Sequence, residues 1–196
     1  MWNHNIHFHN YLLHHISGKL NRALDIGCGL GLFARKLSRR SEYVEAIDVD
    51  SEILKEASIQ NSMANISYQN VDFLEADLPN DSYDLIVSIA SLHHMDLEPA
   101  LRKMKALLRP SGKLLILGLY REVTIWDHIY SVISVPLNYV YSSWHRTSIL
   151  RPRKRAPTRP AQLSLRQIKA VARTVIPGFR LRRHLFWRYS LIWQKQ

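Results

Sequence analysis

The chain has 196 residues, 46% of them hydrophobic, a formal net charge of +11 and one cysteine, Cys28. That length is enough for one domain with its own hydrophobic core, and a single cysteine excludes an internal disulfide framework and fits a reducing, cytoplasmic setting. The charge is unevenly placed: residues 1–127 hold all 16 acids against 13 of the 27 Lys and Arg, and residues 128–196 hold the other 14, a basic last third that suits an anionic partner or neutralises the body's own acids.

The opening residues, Met1-Trp2-Asn3-His4-Asn5, have neither the basic n-region nor the apolar h-region of a secretory signal. Residues 1–21 read as a polar, His-rich cap segment. Its histidines, His4, His7, His9, His14 and His15, fit no compact site with a neighbouring Cys or carboxylate, so no metal is expected. From Arg22 onward short apolar runs alternate with amphipathic ones, the pattern of a parallel sheet covered by helices on both faces. The strands expected are Arg22–Ile26, Tyr43–Ile47, Ile66–Asn70, Tyr83–Ile89 and Lys113–Leu119. The helices expected between them are Leu32–Arg40, with Phe33 and Leu37 inward, Ser51–Met63, capped by Asp50, and Leu97–Leu108, capped by Asp96 and stopped at Pro110-Ser111-Gly112.

Beyond Leu119 the alternation lapses over Arg121–Leu163. This stretch contains the longest apolar run, Val123–Trp144, but Asp127, His128, Pro136 and Asn138 interrupt it short of the roughly 20 continuous apolar residues of a membrane span. It reads as an inserted lid or acceptor region and leads into Arg151-Pro152-Arg153-Lys154-Arg155. A helix at Leu165–Val175, capped by Ser164, and an aromatic-rich hairpin, Phe179–His184 with Tyr189–Gln194, close the chain. The expected fold is one α/β domain over 1–196: a doubly wound, mostly parallel, seven-stranded Rossmann-like sheet with helices on both faces and an antiparallel C-terminal hairpin. Residues 22–119 form its cofactor-binding core, 121–163 the insert and 164–196 the closing helix and hairpin.

The densest chemistry lies at Ala23-Leu24-Asp25-Ile26-Gly27-Cys28-Gly29-Leu30-Gly31, an apolar strand that ends beside an acid and runs into alternating glycines opening a helix. Glycine permits the tight turn and lets a ligand touch backbone, while the exposed N–H groups of the helix start favour an anionic group. The dinucleotide fingerprint asks for Gly or Ala at position 32, where this chain has Leu32, so the spacing favours a nucleotide-like ligand without a pyrophosphate.

These residues resemble motif I of the class I S-adenosylmethionine-dependent methyltransferases, type 11-like members in particular, and the likeness continues in order through residues 22–119. The resemblance implies that Asp25, Gly27, Cys28, Gly29 and Gly31 surround the methionyl part of S-adenosylmethionine, whose product is S-adenosylhomocysteine. It implies Asp48, followed by Val49, as the acid that takes both ribose hydroxyls, and a carboxylate suits that place because it accepts two hydrogen bonds at once. Asp72 and Phe73 are implied at the adenine amino group and beside its ring. Tyr83-Asp84-Leu85-Ile86-Val87-Ser88 is similar to the family's fourth strand, with Ser88 at its cofactor end, and Ser91-Leu92-His93-His94-Met95 to the segment bordering methionine and acceptor. Arg109-Pro110-Ser111-Gly112-Lys113 is similar to the turn before the fifth strand, where the family more often has Pro-Gly-Gly. Trp2-Asn3-His4-Asn5 and Arg188-Tyr189-Ser190-Leu191-Ile192-Trp193 resemble a branch of small bacterial members whose acceptor is unassigned.

The implied reaction is direct in-line displacement of a methyl group to oxygen, nitrogen or carbon, which asks of the protein mainly orientation and exclusion of water. His94 or His93 suits a general base toward an oxygen or nitrogen acceptor near neutral pH. A small-molecule acceptor is the first reading, its pocket closed by the N-terminal segment and an insert offering Trp126, Tyr130, Tyr139 and Trp144 as walls. An RNA acceptor held by Arg146, Arg151, Arg153, Lys154 and Arg155 is the second. A non-enzymatic cofactor-binding or membrane-surface module is the third.

Overall fold

The computed structural model describes residues 4–124, 132, 134 and 160–196. Its strands are β1 (Leu20–Ile26), β2 (Ser41–Asp48), β3 (Ile66–Asn70), β4 (Tyr83–Ile89), β5 (Leu108–Leu119), β6 (Arg180–Arg183) and β7 (Arg188–Gln194). Its helices are α1 (His4–His7), α2 (His9–Leu13), α3 (Leu32–Leu37), α4 (Ser51–Gln60), α5 (Leu97–Leu107) and α6 (Leu165–Val175). The aromatic residues Trp126, Tyr130, Tyr139 and Trp144 and the basic residues Arg146, Arg151, Arg153, Lys154 and Arg155 lie outside the described residues. Among the described residues no helix is long and apolar enough to cross a membrane.

The seven strands form one sheet in the order β3-β2-β1-β4-β5-β7-β6, in which β1 to β5 pair in parallel and β7 runs antiparallel to both β5 and β6. The doubly wound sheet and its antiparallel hairpin are as the alternation predicts. Chain order reverses at β1, which has β2 on one side and β4 on the other, and in such a sheet the crevice at the carboxyl ends of those strands is where a ligand fits. Strand β4 is buried from Tyr83 to Ser88, as its unbroken apolar run requires of a central parallel strand.

Helices α5 and α6 cover one face, where Leu101, Met104, Ile168 and Ala172 pack with Ile86 and Ile116 of the sheet. The stripe of α5 is core, and that of α6 meets it from the neighbouring position. On the opposite face Phe33 and Leu37 of α3 pack with Phe8, Leu12 and Ile16 of the N-terminal segment and with Val87 and Leu115. The N-terminal segment is tied to the far hairpin, since Arg188 donates through Nε and Nη2 to Asn5 Oδ1 at 3.1 and 2.9 Å. Tyr11 shares a hydrogen bond of 3.2 Å with Ser190.

Local chemistry sets several boundaries. Asp50 caps α4 by accepting from the N–H groups of Glu52 and Ile53, and Ser164 with Gln167 closes a capping box on α6. Asp96 stands at the start of α5 without a side-chain cap bond, contrary to expectation; Pro99 and the packing of Leu97 define that end instead. Helix α3 stops at Leu37 rather than Arg40, and Arg40 N–H bonds the Leu37 carbonyl in the tight turn that feeds β2. The expected turn at Pro110-Ser111-Gly112 is absorbed into a longer β5 that starts at Leu108 with a register shift opposite Tyr83 and Leu85. A bulge turns the chain there: Ser111 takes a φ of 64°, and a Cβ at Gly112 would lie 2.8 Å from the carbonyl oxygens of Arg109 and Tyr83.

Three imidazoles of this half carry a consequence for acid stability. His9 is buried against Phe33, ring centroids 4.9 Å apart, its Nδ1 has no hydrogen-bond partner among the described residues, and burial, aided by Lys36, pushes its pKa down to about 4. His184, packed on Phe8 and Tyr11, is likewise pushed down to about 4 by burial, then Arg182 and His7, and His15 is lowered in the same direction. The folded state therefore holds these rings neutral while the unfolded chain protonates them. Stability is fully present above about pH 6.5 and falls as the pH drops toward 4. His9→Leu is expected to shrink the drop in melting temperature between pH 7 and pH 5, with His184 supplying what remains; an unchanged drop would place the acid lability elsewhere.

Candidate active site

Strand β1 delivers Asp25 and Ile26 to the crevice and then turns. Gly27, Gly29 and Gly31 all adopt positive φ, at 66°, 52° and 70°, a region that side chains avoid. Gly27 and Cys28 both donate N–H to the carbonyl of Ile47 at the end of β2, at 2.9 and 3.1 Å. The loop is further pinned by the carboxylate of Asp48, which accepts from Gly29 N–H at 2.9 Å and Asp50 N–H at 3.0 Å. Each Asp48 oxygen has spent one acceptor site, and an ionised carboxylate has about four, so a pair remains for a ligand. Val49, next to it, is 66% exposed.

The end of β3 is held to the end of β2 through Val71 N–H and Asn70 Nδ2, both donating to the Asp48 carbonyl. Beyond it Asp72 is exposed and its Oδ1 accepts from Leu74 N–H at 2.8 Å. Phe73 is different from its expected placement: it is 1% exposed, part of the core under α5, with Lys103 Nζ 5.3 Å from its ring centroid. The turn that follows Asp72 carries this ring into the core rather than to the surface of the crevice.

At the end of β4, Ser88 is fully buried and its hydroxyl meets that of Ser91 at 2.7 Å. Ser91 in turn donates to the Ile26 carbonyl at 2.7 Å. This Ser88–Ser91 pair locks the β4 turn against the glycine loop so closely that a Cβ on Gly27 would fall 2.3 Å from that of Ser91. Ala90, between them, is held at a φ of 53° with its N–H on the Leu117 carbonyl. Sequence reasoning placed Ser91 in a motif without giving it this role, and no local pattern signals it, because the carbonyl it ties down, that of Ile26, is 65 residues away. Tyr68 was also missed: its hydroxyl donates to the Asn61 carbonyl at 3.1 Å and walls the loop beside Gly31.

Asp25 is the electrostatic centre of the crevice. It is 1% exposed, its Oδ2 accepts no hydrogen bond among the described residues, and its pKa is pushed up to about 7 by burial and then by the charge of Asp48, with Ala34 N–H opposing. A buried acid left half-ionised at neutral pH is a signature of a site awaiting a positive or proton-donating ligand. Burial, then Asp25 and Asp48, also raise the Cys28 thiol far above its usual range, so Cys28 offers backbone and bulk but no thiolate.

His93 and His94 occupy the short helical turn after β4, rings stacked 4.0 Å apart at 39°. His93 is half-buried and lines a cavity of about 110 Å³ with Leu92, Met95, Asp96, Leu119 and Tyr189, whereas His94 is exposed and is not part of that wall. Among the described residues no three His, Cys, Asp or Glu side chains converge as a metal site.

An orphaned buried carboxylate oxygen, a backbone-only glycine cradle and a second carboxylate with spare acceptor sites fit a cationic amino acid joined to a ribose, and so fit S-adenosylmethionine. A family model described as "Methyltransferase domain" matches residues 24–116. An uncharacterized methyltransferase of Mycobacterium tuberculosis is 32% identical over 198 residues, spanning 98% of this chain and 96% of that protein. A ubiquinone biosynthesis O-methyltransferase of Xanthomonas euvesicatoria is 35% identical over 105 residues, 51% of this chain and 44% of that one. The fold is shared with the N-methyltransferase NodS of Bradyrhizobium japonicum bound to S-adenosylhomocysteine, with TM-score 0.65 and 16% identity over 97% of this chain and 86% of that one. Fold, glycine loop and full-length likeness agree: the chain belongs to the class I S-adenosylmethionine-dependent methyltransferases.

Proposed function

We propose that this methyltransferase acts on a small-molecule oxygen or nitrogen nucleophile whose reacting end enters the cavity beside His93. The observation that carries the reading is that cavity's position. It lies between the turn after β4 and the end of β5, and the same β4 turn, through Ser91, abuts Gly27 of the cofactor loop. The O- and N-methyltransferases among the similar proteins support an oxygen or nitrogen acceptor.

In this reading Asp25 and the backbone of Gly27, Cys28, Gly29 and Gly31 receive the methionyl part, Asp48 the ribose hydroxyls beside Val49, and Asp72 the adenine amino group. Ser88 acts as a positioning residue through Ser91, and Phe73 only shapes the core beneath. The bound cofactor supplies an already activated methyl group. The chain's contribution is alignment and exclusion of water, plus His93 to take the proton of an incoming hydroxyl or amine. His94 stacks on His93 and orients it.

Transfer of tritiated methyl label into separated small-molecule, RNA and lipid fractions of a cell extract tests this. Label in the small-molecule fraction is expected, with His93→Ala slowing transfer by at least about 100-fold, the usual worth of a positioned general base. S-adenosylhomocysteine affinity should be unchanged, and His94→Ala should cost far less. Label in the RNA fraction, or full activity of His93→Ala, contradicts the proposal.

A further inference from the structure

A second hollow lies apart from the one beside His93. It is a groove of about 310 Å³ between α6, β6 and the segment after β5, lined by Val123, Thr124, Leu165 and four cationic side chains, Arg166, Lys169, Arg173 and Arg183. On α6 the three cations are spaced by three and four residues, which puts them on one helix face, and all three are exposed. Neither α6 nor β6 contains an acid, and no Asp or Glu follows Asp127 anywhere in the chain.

Several cations elsewhere on the surface are matched, Lys19 with Glu42, Lys55 with Glu52, Arg102 with Glu98 and the half-buried Lys195 with Asp81. Arg166, Lys169 and Arg173 have no ion-pair partner among the described residues. Charges that only keep a surface soluble are interspersed by sign; this face carries one sign and bears the self-repulsion. Arginines on an edge strand such as β6 discourage strand pairing, which accounts for Arg180 and Arg182 on its other side but not for the row on α6.

From this face we infer that α6 and the adjoining groove dock the enzyme on a membrane surface bearing anionic phospholipid. The cations run from position 166 to 173, about 10 Å at 1.5 Å per residue, a span no single phosphate bridges but an array of headgroups does. The groove's floor is apolar, from Val123, Leu165 and the stems of the basic side chains. Val123 is 53% exposed. Cations flanking exposed apolar side chains are what an interfacial surface requires. A single-stranded nucleic acid asks for aromatic faces on which bases stack, and among the described residues no aromatic side chain lines the groove.

The inference is independent of which acceptor is methylated, and its test does not read activity. The full chain is floated with vesicles of phosphatidylcholine alone and of phosphatidylcholine mixed with phosphatidylglycerol, alongside the triple variant Arg166→Gln, Lys169→Gln, Arg173→Gln. Binding only to the mixed vesicles, weakening with salt, is expected. The triple variant should bind about 100-fold more weakly, at roughly fivefold per basic residue, while taking up S-adenosylhomocysteine as the parent does. Absence of flotation, equal flotation with neutral vesicles, undiminished binding by the triple variant, or displacement from vesicles by single-stranded RNA would each overturn it.

Discussion

Asp25→Asn is expected to make the free protein more stable at pH 8 and nearly blind to its cofactor. A raised pKa in the folded state means that ionising Asp25 works against folding: its contribution is most favourable below its ordinary range near 3.8 and is lost as the pH rises through about 7. About three units correspond to roughly 4 kcal/mol at full ionisation. The amide keeps an oxygen to accept from Ala34 N–H, but it buries an amide NH2 where Oδ2 has no partner, so a net gain of about 1–3 kcal/mol is the expected result. With the methionyl part placed as proposed, the same substitution also removes a buried negative charge from beside its ammonium and sulfonium, a charge-assisted contact worth about 1.5–3 kcal/mol or more in a dry site. S-adenosylmethionine should bind at least about 10-fold to 100-fold more weakly. Thermal melting with and without cofactor reads both effects, and a variant that loses stability or keeps its affinity would show Asp25 to be an ordinary core acid. The trade of stability for binding is the pattern expected where a site is built at the fold's expense.

Gly27→Ala is expected to be strongly damaging for the addition of a single methyl group. At a φ of 66° alanine is strained by roughly 1–2 kcal/mol, and its Cβ meets Ser91 Cβ at 2.3 Å and Oγ at 2.7 Å, so the β4 turn must move away from the loop. Together strain and overpacking should cost about 3 kcal/mol or more, with cofactor binding lost because the loop and the Ser88–Ser91 pair shift together. Adding Ser91→Gly removes the clash but not the strain, so the double variant should recover part of the stability lost in Gly27→Ala. Strictly additive losses in that cycle would mean that the two elements do not touch as described.

What was legible in the sequence is what short-range chemistry decides. Asp50 and Ser164 announce their helix starts because a cap and its N–H partners lie within three residues. The glycine loop announces itself because positive φ selects glycine at successive positions. Phe73, Asp96 and the start of β5 were misplaced because packing decided them: Phe73 turned under Lys103, the helix start at Asp96 formed without its side chain, and Ser111 bent into a strand that β4 and β7 both claim. Ser91 and the raised pKa of Asp25 were invisible for a related reason, since one depends on the Ile26 carbonyl and the other on burial in the crevice and then on Asp48, all of them set by the sheet order. The basic last third was visible as composition, but only the fold separates the row on α6 from the arginines of the edge strand.

Titration calorimetry of S-adenosylhomocysteine into the protein at pH 7, in two buffers of different ionisation enthalpy, puts the central claim to its most direct trial. Uptake at one site with release of a fraction of a proton to the buffer is the predicted result, because the ligand's ammonium pulls Asp25 from half-protonated to ionised. Affinity should fall on acidification below pH 7, and Asp25→Asn should release no proton. No uptake by folded protein, or tight uptake with no proton exchanged, contradicts the account.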